Sequence, residues 1–259
     1  MSPSPAPRIA VVTGAASGIG RATAAALRQR GAEVVGVDLV DAPEELATDE
    51  GVDWVRGNVA APETWDHAVA ACEQRDAGGA DCLVTCAATL VVKPFLETSP
   101  DDWRRLYDVN VVGVILGMRA LLPPMLERRD GAIAVVCSVN SFVVEDELSA
   151  YSTSKAALLH ATRSAAVEYA AAGVRINAVC PGIIDTPLLQ RHLDSLDDPE
   201  AARRAAERRS PIGRILAPQE VAEAICFVVS GGASAMAGAA LTVDGGLTVT
   251  YDFDSADRP

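Results

Sequence analysis

Short apolar runs alternate with longer amphipathic or alanine-rich stretches along most of this chain of 259 residues. Regular alternation of this kind predicts strands that pair in parallel through right-handed helical crossovers. The predicted strands are residues 8–13, 33–38, 52–56, 81–85, 132–137, 174–179 and 239–243. We therefore expect an α/β fold with a doubly wound parallel sheet of about seven strands and helices on both faces.

Helical patterns occupy the segments between these strands. The predicted helices are an alanine-rich helix ending near residue 30, and then residues 62–75, 100–127, 150–171, 194–209 and 218–230. The long helix at 100–127 contains helix-breaking residues, so we expect interruptions near Asn110 and Gly113 and again at Pro123 and Pro124.

No linker, repeat or low-complexity block divides the chain, so we predict one domain over residues 1–259. Residues 1–7 have the composition of a flexible arm, and 247–259 that of a tail. The segment 183–214 breaks the alternation directly after a strand, where it is placed to act as a substrate lid. A surface excursion with no closing role is an equally open interpretation of that segment.

Charge and composition restrict the binding partners and the cellular compartment that we expect for this protein. Lys and Arg number 22 against 35 Asp and Glu, and the net charge of −13 would repel a nucleic acid. No uninterrupted apolar run approaches the roughly 20 residues of a membrane helix, and the first residues lack signal-peptide features. The six cysteines are scattered without metal-ligand spacing, which suits free thiols in a reducing cytosol. We expect a cytoplasmic protein with no nucleic-acid partner, no membrane contact and no metal site.

A glycine-rich turn joins the first strand to the first helix. Gly14 permits the tight turn, Gly18 allows close backbone approach, and Gly20 lets helix and strand touch. A strand, a glycine turn and a helix in this order point free backbone N–H groups at a phosphate. The sequence therefore predicts a dinucleotide site at this turn.

Asp38 ends the second predicted strand, about 20 residues past the glycine turn. An acid at that place accepts hydrogen bonds from the adenosine ribose and repels a 2′-phosphate. Neither Ser17 nor Leu39 supplies a basic group for such a phosphate. We therefore predict NAD rather than NADP as the cofactor, and prefer this to a role for Asp38 as a simple strand-end cap.

Tyr151 and Lys155 stand one turn apart on a predicted helix, and Ser138 ends the strand before it. A neighbouring ammonium favours the phenolate form of a tyrosine, which can then exchange a proton with an alcohol or carbonyl oxygen. Taken alone, the tyrosine–lysine spacing is also that of an ordinary surface pair. The independent glycine turn upstream favours the catalytic interpretation.

Taken together, these motifs resemble those of the short-chain dehydrogenase/reductase family, in the subgroup with TGxxxGxG and YxxxK motifs. The resemblance covers residues 8–250 and implies a Rossmann-like fold. It rests on the following residues and motifs in order: Thr13-Gly14-x-x-x-Gly18-x-Gly20, Asp38, Asn110, Ser138, Tyr151-x-x-x-Lys155 and Pro181-Gly182.

The resemblance implies roles for individual residues. Tyr151 would be the general acid/base, Lys155 would hold the nicotinamide ribose, Ser138 would bond the reacting oxygen, and Asn110 would kink its helix and hold a water. Thr186 would touch the nicotinamide carboxamide. The cofactor-binding set is Gly14, Ser17, Gly18, Ile19, Gly20, Asp38, Leu39, Asn58, Val59, Cys86, Ala87, Ala88, Tyr151, Lys155, Pro181, Gly182, Ile184 and Thr186.

Two stretches depart from the family pattern. The usual Asn-Asn-Ala-Gly after the fourth strand is Thr85-Cys86-Ala87-Ala88 here, and the usual aspartate beside the adenine is Asn58. Several of the contacts in question come from backbone groups, so these changes affect the expected cofactor affinity and not the expected fold.

The expected reaction is hydride transfer between NAD(H) and a secondary alcohol or ketone. We predict a neutral, largely apolar substrate from Phe142 and Val143, with Leu90, Val91, Leu188 and Leu189 adding apolar surface. The acids at 145–147 are expected to form a solvated loop. The alternatives are a 3-oxoacyl-thioester reductase that uses NADPH and, from another class, a catalytically idle NAD-binding scaffold. The resemblance further implies a homotetramer, or a homodimer, through helices 100–127 and 150–171.

Overall fold

The computed structural model describes residues 8–76, 78–194 and 196–250. The predicted arm at 1–7 and the end of the predicted tail, 251–259, lie outside the described residues. Within the described ranges, seven strands form one parallel sheet in the order β3-β2-β1-β4-β5-β6-β7. The strands are β1 (Ile9–Thr13), β2 (Glu33–Asp38), β3 (Val52–Arg56), β4 (Cys82–Thr85), β5 (Gly131–Val136), β6 (Val174–Pro181) and β7 (Ala240–Val243).

Helices cover both faces of this sheet, and the predicted fold class is confirmed. One apolar cluster joins the sheet to α3, α5 and α6, and a second joins the opposite face to α1 and α9. The helices are α1 (Gly18–Gln29), α2 (Glu44–Ala47), α3 (Pro62–Arg75), α4 (Pro100–Tyr107), α5 (Gly113–Arg128), α6 (Ser149–Tyr169), α7 (Pro187–Asp194), α8 (Pro199–Arg209) and α9 (Pro218–Val229).

The central strands are apolar on both sides because both of their faces are covered. Every residue of β1, β4 and β5 is buried. The strand order reverses between β1 and β4, whose ends meet in the pairing of Thr13 with Thr85. A crevice forms at such a switch point, outside the carboxyl ends of the strands, and ligands bind there.

The long predicted helix is interrupted at one of the two predicted places. Residues Asp108–Val112 form a π-helical turn around Asn110, between α4 and α5. The expected interruption at Pro123 and Pro124 is wrong, because α5 continues through both prolines. Each proline removes an N–H donor and crowds the carbonyl group four residues before it, but the helix around them is held on the sheet by buried neighbours such as Leu121 and Met125.

By length and composition alone, the described helical stretch Pro100–Arg128 could cross a membrane, with a mean hydropathy of 1.7 over its most apolar window. Half of that window is buried inside the fold. A core helix packed on a sheet has the same apolar composition, and α5 belongs to the larger of the two apolar clusters.

The segment after β6 contains two helices where the sequence predicted one over 194–209. Pro199 explains the break, because a proline is tolerated in the first turn of a helix and not in its interior. Asp198 caps the second helix, its Oδ1 accepting from the Ala201 N–H at 2.9 Å. The predicted tail also begins in ordered structure, since Leu247–Val249 form a 3₁₀ turn.

Two glycines that follow helices have the same backbone conformation but different surroundings, so substituting them gives a matched test of close packing. Gly31 and Gly173 both have φ of +89°. A Cβ at Gly31 would meet nothing within 4 Å, whereas one at Gly173 would lie 2.1 Å from the Arg129 carbonyl oxygen. Gly31→Ala should cost about 1–2 kcal/mol for the left-handed conformation. Gly173→Ala should cost about 1–3 kcal/mol more, because the backbone must shift.

Urea unfolding of the two variants and the parent protein measures this difference. Equal losses of unfolding free energy in both variants would contradict the close approach of Gly173 to Arg129.

Candidate active site

A cleft with a cavity volume of about 1210 Å³ opens along the carboxyl ends of the strands. With one exception, every residue predicted to be catalytic or cofactor-binding lines it; the exception is Asn110. The lining includes Gly14, Ser17, Gly18, Ile19, Gly20, Asp38, Leu39, Asn58, Val59, Cys86, Ala87, Ala88, Ser138, Tyr151, Lys155, Pro181, Gly182, Ile184 and Thr186. The fold thus brings residues from seven separate segments into one crevice.

The glycine turn places the start of α1 at the base of the cleft. Gly14 and Gly18 have φ of +66° and +53°, which L side chains rarely adopt. A Cβ at Gly20 would lie 2.1 Å from the Gly14 carbonyl oxygen, so any larger residue would push the turn away from the helix. Ser17 occupies the N-cap position but makes no side-chain cap bond. The backbone N–H groups of this helix start, which have no acceptor within the helix, are therefore available to an anion.

Asp38 lies beside this turn, as predicted. Its Oδ2 accepts from the Ala16 N–H at 3.0 Å. The same carboxylate is in long contact with the Val40 N–H, at 3.4 Å. These bonds fix the carboxylate at the rim of the cleft and leave further lone pairs for hydroxyl donors.

The altered segment after β4 is held against the glycine turn. Thr13 Oγ1 accepts from the N–H groups of Cys86 and Ala87, both at 3.1 Å. A Cβ at Gly14 would lie 2.9 Å from the Ala87 nitrogen, so the two loops are in contact. Burial raises the pKa of the Cys86 thiol to about 12, and the nearby Lys155 ammonium opposes that rise. The thiol is therefore neutral at physiological pH.

Tyr151 and Lys155 lie on α6 with their side chains at the cleft. Lys155 is 2% exposed, and its Nζ donates to the Val136 carbonyl oxygen at 2.9 Å. The same Nζ is 5.7 Å from the centroid of the Tyr151 ring. A buried ammonium needs partners for its three donors, and the bond to Val136 uses one of them. The cleft-facing ammonium can therefore also bind hydroxyl groups of a ligand.

Ser138 follows β5 and lines the cleft. Its Oγ accepts from the Asn140 N–H at 3.1 Å. Asn140 Nδ2 in turn donates to Ser152 Oγ on α6 at 3.2 Å. Asn140 is a lining residue that the sequence analysis missed, although its place two residues after a serine is typical of a short side-chain turn. The Ser138 hydroxyl proton stays available to a reacting oxygen.

Asn110 is fully buried and does not line the cleft. Its Nδ2 donates to the Thr89 carbonyl oxygen at 3.0 Å and to Ser154 Oγ at 3.1 Å. Its Oδ1 accepts from the Thr89 N–H at 2.8 Å. The side chain therefore ties the loop after β4 to α6. The π-helical turn agrees with the predicted irregularity in the helix, and the implied water relay stays a prediction.

The far wall of the cleft is formed by the segment after β6. A Cβ at Gly182 would lie 2.9 Å from the Asp244 Cα, so only glycine lets these two turns meet. A Cβ at Gly18 would lie 3.1 Å from the Thr186 methyl group. Thr186 thus approaches the glycine turn from across the cleft.

The expected substrate wall needs correction. Leu90, Leu188 and Leu189 line the cleft as predicted, but Val91, Phe142 and Val143 do not. Phe142 and Val143 are instead half exposed, because the loop after Ser138 turns their side chains outward. Further lining residues that the sequence analysis did not select are Val92, Arg105, Leu148, Arg191, Leu193, Leu196, Ala202, Ala205, Ala206 and Arg209.

The acidic run at 145–147 is solvated at Asp146 and Glu147, which are exposed as expected, whereas Glu145 is half-buried. Glu145, Asp146 and Glu147 all line the cleft. Glu145 Oε1 forms an ion pair with Arg209 Nη1 of α8. The sequence alone gave no signal for this pair, because its members are 64 residues apart.

The arrangement fits a dinucleotide. Free backbone donors at the start of α1 suit a pyrophosphate, the Asp38 carboxylate suits ribose hydroxyls, and the buried Lys155 ammonium suits a second ribose. Tyr151 and Ser138 line the same cleft, and their hydroxyl groups can exchange or donate a proton to a bound oxygen atom.

Comparison with known proteins agrees with this geometry. A family model described as enoyl-(acyl carrier protein) reductase matches residues 14–248. Cis-4-hydroxycyclohexanecarboxylate dehydrogenase from Sinomonas cyclohexanicum is 43% identical over 94% of this chain and 97% of its own length. Cyclopentanol dehydrogenase from Comamonas sp. (strain NCIMB 9872) is 34% identical over 93% of this chain and 97% of its own. The ligand-free structure of aldohexose dehydrogenase from Thermoplasma acidophilum has a TM-score of 0.86 at 32% identity, covering 97% of each chain.

The raised pKa of Cys86 gives a direct test of the cleft. A thiol with a pKa of about 12 keeps its proton at pH 8, and iodoacetamide reacts with the thiolate. We expect Cys86 to remain unmodified in the native protein and to be alkylated once the protein is unfolded in urea. Peptide mass spectrometry measures both states, and rapid alkylation of native Cys86 would contradict its raised pKa.

Proposed function

Because the chain belongs to the short-chain dehydrogenase/reductase family, which makes it an oxidoreductase acting on CH–OH groups, we propose that it oxidises a cyclic secondary alcohol to the ketone with NAD. The reverse reduction uses the same groups. The observation that carries the proposal is the grouping of Tyr151, the buried Lys155 and Ser138 at one end of a cleft shaped for a dinucleotide. An idle binding protein has no chemical need for this grouping.

The proposed chemistry divides between cofactor and protein. A bound nicotinamide would supply the acceptor for the hydride of the carbinol carbon. The Tyr151 phenolate takes the hydroxyl proton of the alcohol as the carbon–oxygen double bond forms. The Ser138 hydroxyl donates to the same oxygen and fixes its position. Lys155 places its positive charge beside the Tyr151 ring and would hold the ribose hydroxyls of the cofactor.

The proposed cofactor is NAD in preference to NADP. The support is the Asp38 carboxylate at the rim of the cleft, fixed by the Ala16 N–H. A 2′-phosphate would face this negative charge. The nearby Arg56 side chain is already bonded to the Leu39 carbonyl oxygen and contacts the Asp41 carboxylate. NADPH would instead be expected for the alternative, a 3-oxoacyl-thioester reductase.

The proposed substrate carries a neutral, largely apolar ring. Leu90, Leu188, Leu189 and Leu193 give the substrate side of the cleft an apolar surface. The two dehydrogenases similar to this chain are named for cyclic alcohols, a hydroxycyclohexanecarboxylate and cyclopentanol. Cyclopentanol and cyclohexanol are therefore the first substrates to assay by the absorbance of NADH.

We also propose a cytoplasmic homotetramer, or homodimer, built through α5 and α6. All six cysteines are free thiols, which supports a reducing compartment. Ile115 on α5 and Val167 on α6 expose 38% and 83% of their surfaces, and a symmetry mate would cover them. Light scattering tests this assembly, and a monomer would contradict it.

Tyr151→Phe removes the phenol hydroxyl and keeps the ring. We expect turnover of the best cyclic alcohol to fall by about 10²–10⁴-fold, the usual contribution of a positioned acid or base, while NAD binding is retained. Tyr169→Phe, at the other end of α6, is the matched control and should keep full activity. Unchanged turnover in Tyr151→Phe would rule out the proposed proton transfer.

Asp38→Ala removes the charge that opposes a 2′-phosphate and an acceptor for the ribose. We expect kcat/KM with NAD to fall about tenfold or more, as for loss of a charged hydrogen bond, and kcat/KM with NADP to rise. Asp66→Ala, at an exposed position of α3, is the control. A parent enzyme that already prefers NADPH would overturn the assignment and favour the thioester reductase.

A further inference from the structure

The ion pair between Glu145 and Arg209 joins two segments that line the cleft. Arg209 is the last residue of α8, and Glu145 lies in the loop between β5 and α6. Both residues line the cleft, and their side chains are 42% and 38% exposed. The contact therefore joins the segment after β6 to the opposite wall.

α8 depends on polar contacts of this kind because it has no buried residue. Its cleft-facing side carries three small side chains, Ala202, Ala205 and Ala206, followed at helical spacing by Arg209. Arg203 joins the helix to Asp185 at 3.0 Å, within the same segment of the chain. Arg209 forms an ion pair with the loop before α6, and the next residue, Ser210, bonds the Asp244 carbonyl oxygen at 3.3 Å, so the pair adds a contact across the cleft to this anchor at the C-terminal end of α8.

We propose that Glu145 and Arg209 are positioning residues that hold α8 over the bound alcohol, so that they set how tightly the substrate is retained. The inference rests on the proposed function for its substrate, and on the contacts of α8 for its geometry. The two charges neutralise each other where they line the cleft. A partly exposed pair contributes little, so the effect on substrate affinity is modest.

Kinetics at saturating NAD measure this effect. Glu145→Gln and Arg209→Gln should each raise KM for cyclopentanol or cyclohexanol about 2- to 5-fold, with kcat unchanged. The charge-reversed double variant Glu145→Arg/Arg209→Glu should return KM to within about twofold of the parent value. The control is Glu200→Gln/Arg204→Gln, which removes an exposed pair within α8 itself and should change neither constant.

A different role for Arg209 would change the KM values of these variants in a different way. If Arg209 binds a carboxylate of the substrate, Arg209→Gln raises KM for cis-4-hydroxycyclohexanecarboxylate only, and Glu145→Gln lowers it. That pattern overturns the proposal, as does a charge-reversed variant that fails to recover.

Hydrogen exchange of the NAD-bound enzyme gives a readout that does not depend on turnover. We expect Glu145→Gln to speed amide exchange in residues 199–209, while the Glu200→Gln/Arg204→Gln control leaves the cross-cleft contact intact and exchanges as the parent does. Parent-like exchange in Glu145→Gln overturns the proposal. Failure of the parent to oxidise any cyclic alcohol contradicts the proposed function, and the exchange result still decides the role of the pair.

Discussion

The buried ammonium of Lys155 is the constraint on which the rest of the site depends. A positive charge that is 2% exposed is costly unless it is hydrogen-bonded. The Val136 carbonyl oxygen at the end of β5 supplies one acceptor, so the ammonium connects helix α6 to the carboxyl end of β5. Its position beside the Tyr151 ring follows from one turn of α6. The proposed acid/base chemistry needs this charge at this place.

The parallel sheet creates the space that the ammonium faces. The order of strands reverses between β1 and β4, and the connections there leave a crevice above the carboxyl ends. Close contacts keep that crevice in shape: Gly20 packs against the Gly14 carbonyl, and Thr13 holds the loop after β4. Small residues and backbone hydrogen bonds therefore determine the space in which a dinucleotide fits. Reactive side chains contribute little to the shape of that space.

Much of this could be predicted from the sequence because the signals are local. The glycine turn, Asp38, and the pair Tyr151 and Lys155 each lie within one strand–helix connection or one helical turn. Contacts between distant segments could not be predicted. The Glu145–Arg209 pair joins residues 64 positions apart, and the outward turn of Phe142 depends on the path of a loop. The break before Pro199 could have been predicted from the sequence, since a proline is favoured in the first turn of a new helix.

A structure of the enzyme with NAD and a cyclic alcohol bound tests the central claim most directly. The account predicts that the Lys155 ammonium bonds the ribose hydroxyls while keeping its bond to Val136. It also predicts that the Tyr151 hydroxyl lies within hydrogen-bond reach of the alcohol oxygen, beside the nicotinamide ring. A Tyr151 side chain directed away from the ring, or a dinucleotide bound outside the cleft, would contradict the account.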